Sequence, residues 1–197
     1  MPIPKQYNRQ EVLDRAIELF RRQGYSATST AELVEVLGIN RKSMYAEFGS
    51  KQELFEAALD RYSAVNLSRV LAPIEASDAD AESIKKAFEG YASASETQYS
   101  GLGCLMANTA AERAALDPRC AKYVDAYLER LQKGFRNALE NARDKGQLNT
   151  DASIDDLVAH FVNAVVGISV LLRANASPEL MFAASRGIVS PLEGKCN

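Results

Sequence analysis

Helical periodicity runs through almost the whole chain, and it constrains the fold more than any other feature. Apolar residues recur three and four positions apart, and no segment alternates between apolar and polar residues as a half-buried strand would. Capping residues, glycines and prolines divide this pattern into short elements. The sequence therefore predicts an all-α protein of about nine helices, with short loops between them.

Helix boundaries follow from local signals. Ser29 with Glu32, and Ser50 with Glu53, are capping boxes that each begin a helix. Pro73 and the segment Ser77–Asp80 predict a loop. The predicted helices cover approximately residues 8–23, 29–37, 40–48, 50–70, 81–100, 104–115, 117–145, 154–174 and 177–189.

The segment 29–48 has the layout of a helix-turn-helix motif, with Gly38 in the turn and Asn40 as the N-cap of the second helix. In such motifs the second helix lies in the major groove, and its N-terminal residues face base edges. Arginine pairs with guanine, asparagine pairs with adenine, and lysine and hydroxyl groups bind phosphate. The predicted DNA-binding residues of this helix are Asn40, Arg41, Lys42, Ser43 and Tyr45.

Three flanking residues extend this prediction. Thr28 and Ser29 lie at the start of the preceding helix, where backbone amides and the helix dipole attract phosphate. Lys51 lies in the first turn of a helix, where a cation is unfavourable unless an anion is nearby. The charge distribution agrees weakly, since residues 1–51 hold eight basic and six acidic side chains in a chain of net charge −3.

A longer pattern surrounds this motif. The stretch LDRAIELFRRQGYSATSTAELVEVLGINRKSMYAEFGSKQELFEAAL resembles the N-terminal domain of the TetR/AcrR regulators. A second segment, from Gly103 to Ala110, is similar to one found in a subset of AcrR-like regulators. Two positions depart from the family pattern: Lys42 stands where a small residue is frequent, and Glu47 stands where histidine is frequent. Since a carboxylate is repelled by DNA, we expect Glu47 to point away from it.

The resemblance implies a function and a domain division. Residues 6–66 would form the DNA-binding domain, and residues 67–197 a helical ligand-binding and dimerisation domain. A homodimer would bind a pseudo-palindromic operator in double-stranded DNA, with each recognition helix in a major groove. A small-molecule effector would release the operator, which makes the protein a repressor. The effector, the operator sequence and the sign of regulation are left open by the sequence.

Candidate residues for ligand binding and dimerisation are less specific. Aromatic and methionine side chains on the middle helices could line an apolar pocket, although most such residues form ordinary core. His160 borders an apolar stripe, so a hydrogen-bonded structural histidine is the alternative to a ligand contact. The candidate ligand-binding residues are Tyr62, Phe88, Tyr91, Met106, Tyr127 and His160, and the candidate dimer-interface residues are Leu157, Phe161, Val165, Ile168, Leu172, Met181 and Ala184.

Cys104 supports an alternative mode of sensing. It begins a predicted helix, where the helix dipole stabilises a thiolate, so it could sense oxidants or electrophiles. A buried inert thiol is the other possibility. Cys104, Cys120 and Cys196 form an odd set without CxxC spacing, which favours a reducing compartment over a disulfide framework.

Other classes of protein find little support. The motifs HExxH, GxSxG, GxGxxG and GxxxxGK[ST] are missing, and a single histidine with no ligand cluster predicts neither an enzyme nor a metal site nor a cofactor. A purely structural adaptor would not explain the basic start of the second helix-turn-helix element. The longest apolar run, 161–172, is shorter than the roughly 20 residues that span a bilayer. With no apolar N-terminal stretch, the sequence predicts a cytoplasmic protein without a membrane partner.

Overall fold

The computed structural model describes residues 7–112, 118–148 and 153–193, and these segments form helices without a strand. Short turns connect the helices, and residues 62–67 form a π-helical segment between the fourth and fifth. The α-helices are α1 (Arg9–Gln23), α2 (Thr30–Leu37), α3 (Arg41–Phe48), α4 (Lys51–Arg61), α5 (Ser68–Glu75), α6 (Ala81–Ala94), α7 (Leu105–Ala111), α8 (Ala121–Asp144), α9 (Ile154–Arg173) and α10 (Pro178–Val189).

These elements confirm the predicted all-α architecture, with three local differences. The predicted helix 81–100 ends early, since α6 stops at Ala94 and residues 95–102 form turns. The predicted helix 50–70 continues through the π-helical segment into α5, so α4 and α5 form one continuous rod. Pro73 lies inside α5 instead of in a loop. The prediction was wrong there because burial of Leu71 and Ile74, with α5 packed on α8, outweighs the lost backbone hydrogen bond. The predicted N-cap at Asp117 lies outside the described residues.

The N-terminal helices pack around an aromatic cluster. Phe20 of α1 meets Phe55 of α4 edge to face, with 4.8 Å between ring centroids. Tyr25 closes the same cluster at 4.7 Å from the Phe55 ring. An ion pair with two hydrogen bonds also links α4 to α1. Arg61 donates from Nε and from Nη2 to the two carboxylate oxygens of Asp14. These contacts make α1 the element on which the first helical unit is assembled.

The C-terminal helices share a second aromatic core. Phe88 of α6, Phe135 of α8 and Phe161 of α9 pack with ring centroids 5.4 to 6.1 Å apart. All three side chains are fully buried. The 20-residue helix α9, with a mean hydropathy of 1.6 over its most apolar 18 residues, is long and apolar enough to cross a membrane by length and composition alone. Core helices of soluble proteins pass the same test, and α9 packs on α8 and α10 here.

Three polar contacts join the two cores, two of them buried and the third exposed. The guanidinium of Arg21, in the last turn of α1, donates through Nε to the carbonyl of Gly103 at 2.9 Å. In return, the amide of Asn108 on α7 donates to the carbonyl of Arg21 at 3.2 Å. The Glu112 carboxylate accepts from the backbone amide of Ser26 at 2.9 Å. The segment around α7 therefore holds the C-terminal end of α1.

Candidate nucleic-acid interface and internal cavity

Backbone caps fix the position of α3. Asn40 caps the helix, since its Oδ1 accepts from the Ser43 amide at 2.8 Å. Gly38 ends α2 with φ of 65°, a left-handed conformation that favours glycine. Met44 and Phe48 bury the inner face of α3. The turn and the buried face together leave the other side of α3 directed to solvent.

That solvent face carries the predicted basic residues. Arg41, Lys42 and Tyr45 are exposed, and Ser43 is half-buried. The Arg41 guanidinium carbon lies 5.8 Å from the centroid of the Tyr45 ring. Hydrogen bonding from Arg41, and then from Thr30, lowers the pKa of Tyr45. The structure therefore brings a guanidinium, an ammonium and a phenol together on one surface.

The flanking residues Ser29 and Lys51 differ in their exposure to solvent. Ser29 is exposed, and its capping box with Glu32 is present. The side chain of Lys51 is partly buried, with Nζ 4.2 Å from the centroid of the Tyr25 ring. Burial lowers the pKa of Lys51, against the opposing effects of Glu112 and Glu32. Within the described segments Lys51 forms no ion pair with a carboxylate, and its ammonium lies against the Tyr25 ring.

Thr28 lies in a different environment from the one predicted. The residue is 1% exposed, and its hydroxyl donates to the Gly24 carbonyl at 2.6 Å. The prediction that Thr28 faces a phosphate was wrong, because this hydrogen bond holds it inside the turn after α1. Its contribution is to fix the approach to α2.

Glu47 points towards the start of α1. Its carboxylate pairs with Arg9 at 3.1 Å and accepts from the Tyr7 hydroxyl at 3.1 Å. Only 8% of the Glu47 side chain is exposed, so its charge is compensated within the protein. This placement agrees with the expectation that Glu47 points away from DNA.

A cavity of about 260 Å³ lies where α1, α5, α6 and α9 meet. Its walls combine aliphatic residues with tyrosines and basic side chains. The lining residues are Arg21, Tyr62, Leu67, Arg69, Val70, Pro73, Lys86, Ala87, Gly90, Tyr91, Ala94, Tyr99, Gly103, Cys104 and Leu172.

Two of the six predicted ligand residues, Tyr62 and Tyr91, line this cavity. Burial raises the pKa of both phenols, so both remain protonated hydrogen-bond donors near neutral pH. The prediction was wrong for His160, which is exposed and has Nε2 2.8 Å from the Ile188 carbonyl oxygen. That contact matches the alternative of a hydrogen-bonded structural histidine.

The other three predicted ligand residues lie in the core instead of the cavity wall. Phe88 stacks on Phe135, and Met106 is buried on α7. Tyr127 is buried with its hydroxyl 3.9 Å from the Cys104 sulfur, behind the wall. Apolar residues at helical spacing are expected both in a core and in a pocket wall. The sequence alone therefore could not distinguish core residues from pocket residues.

Cys104 lies on the cavity wall and is 4% exposed. It forms the N-cap of the short helix α7. Within the described segments, no cluster of three or more His, Cys, Asp or Glu side chains could hold a metal ion.

The predicted dimer-interface stripe needs correction. Five of its seven members are buried within the chain's own core, while Leu157 and Ala184 are partly exposed; the five are Phe161, Val165, Ile168, Leu172 and Met181. A second chain cannot cover residues that are already buried. The prediction was based on the more hydrophobic face of α9, and that face packs against α6 and α8 in the same chain.

The opposite face of α9 and α10 is open. Val170 is 55% exposed and Leu180 is 50% exposed. Small residues surround them at helical spacing, and a side chain added at Gly167 or Gly187 would meet nothing. The exposed residues of this face, called the α9–α10 face below, are Ala159, Asn163, Gly167, Val170, Leu180, Ala183 and Gly187.

Sequence reasoning missed Arg21, Arg69 and Lys86 in the cavity. Each stands on a helix at a position where a basic side chain usually faces solvent, and Arg21 also suits the C-terminal dipole of α1. Only the packing of α1 against the segment around Gly103 shows that the Arg21 side chain points inward.

A short helix-turn-helix unit with an exposed basic face, joined to a larger helical unit, defines a helix-turn-helix type of DNA-binding regulator. Two family models match the chain: bacterial regulatory proteins of the tetR family over residues 12–58, and the tetracyclin repressor-like C-terminal domain over residues 80–188. The chain belongs to the TetR family, and it is a sequence-specific DNA-binding transcriptional regulator.

Similar proteins and solved structures are consistent with this family assignment. The chain is 31% identical to the uncharacterized HTH-type transcriptional regulator YezE of Bacillus subtilis, over 81% of this chain and 82% of that protein. It is 30% identical to the HTH-type transcriptional repressor ComR of Escherichia coli, over 91% and 86% of the two chains. A TetR-family regulator from Agrobacterium tumefaciens shares the fold, with a TM-score of 0.81, 22% identity and coverage of 92% and 95%. The regulator CifR, solved with 26-bp operator DNA, has a TM-score of 0.72 at 23% identity, with coverage of 95% and 98%.

Proposed function

We propose that this chain is a homodimeric repressor that leaves its operator when a small molecule occupies the cavity. The observation that carries the proposal is the exposed basic face of α3, fixed by the Asn40 cap and by the buried side chains of Met44 and Phe48. The protein acts in the cytoplasm and has no catalytic role. Its relatives include the named repressor ComR.

Each exposed residue of α3 has a separate task at the operator. Arg41 binds guanine O6 and N7, and Asn40 stays at the helix N-terminus, where its side chain is used as the cap. Lys42 and Tyr45 bind phosphate oxygens, and Ser43 contacts a base edge at close range. Base contacts then supply sequence specificity, while phosphate contacts position the helix.

Ser29 and Lys51 bind the DNA backbone on either side of the groove. Ser29 lies at the exposed start of α2, where amides can bind phosphate. Lys51 lies at the start of α4, and an approaching phosphate would replace the unfavourable interaction of its charge with the helix dipole.

The α9–α10 face forms the dimer interface. Its large exposed side chains, Val170 and Leu180, would be covered by the same face of a second copy. Gly167 and Gly187 allow the backbones to approach closely. Leu157 and Ala184, which are only partly buried in one chain, would border this contact.

Occupation of the cavity affects the DNA-binding unit through Arg21. Arg21 belongs to α1, and its side chain both lines the cavity and donates a hydrogen bond to the Gly103 carbonyl. A ligand that displaces the Arg21 guanidinium would move the end of α1, on which α2 packs. The ligand and the operator then favour different conformations, and each weakens the binding of the other by the same factor.

A second mode of sensing rests on Cys104, whose sulfur lies on the cavity wall. Modification of this thiol by an electrophile would occupy the same space as a bound ligand. Replacement of Cys104 by serine separates the two modes. A thiol sensor loses its response to oxidants and electrophiles, whereas a reversible ligand sensor keeps its response.

The proposed function is tested by selecting random duplex DNA on the purified full chain, with binding repeated at two salt concentrations. We expect enrichment of an inverted repeat bound by a dimer. Weak salt-sensitive binding without enrichment, persisting after the protein is unfolded and refolded to remove any ligand, would contradict the proposal.

A further inference from the structure

The cavity walls have a strong excess of positive charge. Arg21, Arg69 and Lys86 line the cavity, and its lining contains no aspartate or glutamate. Burial of Arg21 strengthens the interaction of its charge with a ligand, whereas the exposed Arg69 and Lys86 lie at the open side of the cavity. The site therefore favours an anion and repels a cation, although its tyrosine rings could in principle bind one.

The Arg21 guanidinium is buried without a carboxylate partner in the described part of the chain. The residue is 8% exposed, and its acceptor is the neutral carbonyl of Gly103. The rings of Tyr62 and Tyr99 lie 5.7 and 5.8 Å from its central carbon. A buried charge without an opposite charge is costly, so an anion in the cavity would relieve this cost.

The two other basic residues differ in their surroundings. Arg69 hydrogen-bonds to the Tyr99 phenol and is the first cause of its lowered pKa. Lys86 is exposed on α6, and the described residues provide it with no ion-pair partner. The adjacent Lys85, by contrast, pairs with Glu82 at 2.7 Å. Arg69 and Lys86 thus offer charge to an incoming ligand at the outer part of the cavity.

The remaining wall is largely apolar. Aliphatic side chains from four elements provide the surface for a hydrophobic body; they are Leu67, Val70, Pro73, Ala87, Ala94 and Leu172. The cavity has a volume of about 260 Å³. A compact ligand with one apolar body and one polar end fits these walls.

We propose that the effector is a small organic carboxylate, whose acidic group binds Arg21, Arg69 and Lys86 and whose apolar body packs against the aliphatic wall. Guanidinium groups bind carboxylates through paired hydrogen bonds, and the Tyr62 and Tyr91 hydroxyls can add neutral donors. This inference rests on the proposed function, because it names the chemical class of the ligand that releases the operator.

The test uses sets of probes that share a body and differ in the polar end. Benzoate, cinnamate and 2-naphthoate are each compared with the corresponding primary amide and with a primary amine of the same body. Binding to the full chain is measured by isothermal titration calorimetry. Release of the operator found by selection is measured by fluorescence anisotropy. We expect at least one carboxylate to bind tenfold or more tightly than its amide, and to release the operator.

Variants locate the binding site. Arg69→Gln and Lys86→Met should each weaken the carboxylate about tenfold, equal to about 1.4 kcal/mol, and leave amide binding unchanged. Lys122→Met is the matched control, since Lys122 is exposed on α8 outside the cavity and should leave carboxylate binding as it is. Circular dichroism checks that all three variants fold.

Several results would overturn the inference. They are amides or amines binding as tightly as the carboxylates, no carboxylate binding below about 1 mM, or carboxylate binding without operator release. Equal loss of binding in Lys122→Met would also count against it. Failure to bind any operator would instead refute the proposed function, so the two failures are distinguished.

Discussion

Asn108 is the strongest test of how the two helical units are joined. Its side-chain amide donates to the carbonyl of Arg21 at 3.2 Å and to that of Leu102 at 3.4 Å. The residue is 4% exposed, so water cannot replace these bonds when the amide is removed. Asn108→Ala would therefore leave two buried carbonyl groups without this donor.

The expected cost follows from those contacts. Each neutral hydrogen bond contributes about 1 kcal/mol, and a buried group left without a partner costs about 1–3 kcal/mol. Because both bonds are long, we expect a total loss of about 2–3 kcal/mol in the free energy of unfolding. At roughly 2–4 °C per kcal/mol for a chain of this size, the melting temperature should fall by about 4–12 °C.

Asn141→Ala is the matched control. The Asn141 amide also donates to two carbonyl groups, those of Ser77 and Ala79, at 3.0 and 2.9 Å. It is only half-buried on α8, where water can replace the lost donor, so its loss should cost about 1 kcal/mol or less. Thermal unfolding is followed by circular dichroism at equal protein concentration, since dimerisation makes stability concentration-dependent.

The two variants should also differ in operator release. Asn108→Ala loosens the contact between α7 and α1, so a ligand should release less operator at saturation than in the unmodified protein. Asn141→Ala should keep full release. If Asn108→Ala were no more destabilising than Asn141→Ala, the argument that buried carbonyl groups join the units would be refuted.

Three further predictions concern the DNA interface, the dimer and acid stability. Arg41→Ala should cost about 1–3 kcal/mol for the operator but little for random DNA, whereas Lys51→Ala should weaken all sequences alike and flatten the salt dependence; identical behaviour in anisotropy titrations would make Arg41 a phosphate contact only. Val170→Glu should convert the dimer to monomer in analytical ultracentrifugation, and an unchanged sedimentation profile would remove the α9–α10 face as the interface. The hydrogen bond from Lys145 lowers the pKa of Asp80 to about 2, so the stabilisation is present above about pH 4 and is lost as the pH falls towards 2. Melting curves should show less loss over that interval in Asp80→Asn, and parallel curves would contradict this.

Local signals were sufficient for the DNA-binding unit. Asn40, Gly38 and the capping box at Ser29 act within one or two helical turns, so their effect can be predicted without knowing the fold. The prediction for Thr28 was wrong because its hydroxyl donates to the Gly24 carbonyl. This hydrogen bond keeps the side chain buried, and it depends on the conformation of the turn after α1.

The cavity and the α9–α10 face depend on packing between distant segments. Arg21 turns inward only because Gly103 offers a carbonyl 82 positions later in the chain. On α9, both faces are apolar, and periodicity cannot tell which face the chain itself buries. The prediction selected the face of α9 that contains Phe161. That face is buried in the chain's own core, whereas the face that contains Gly167 is exposed.

The π-helical segment between α4 and α5 has a consequence for how insertions and deletions act on this chain. In residues 62–67 the backbone amide of Ser68 reaches the carbonyl of Ser63, five positions back, so the segment holds one more residue than an α-helical turn. Deleting a single residue there would let the rod become α-helical throughout and keep α5 close to its present orientation, because the π-helical segment takes up its additional residue with almost no change in total rotation. Arg69 would then stay at the cavity, and the contacts that position α3 would be untouched. A one-residue deletion within residues 62–67 should therefore leave both ligand recognition and the choice of operator in place.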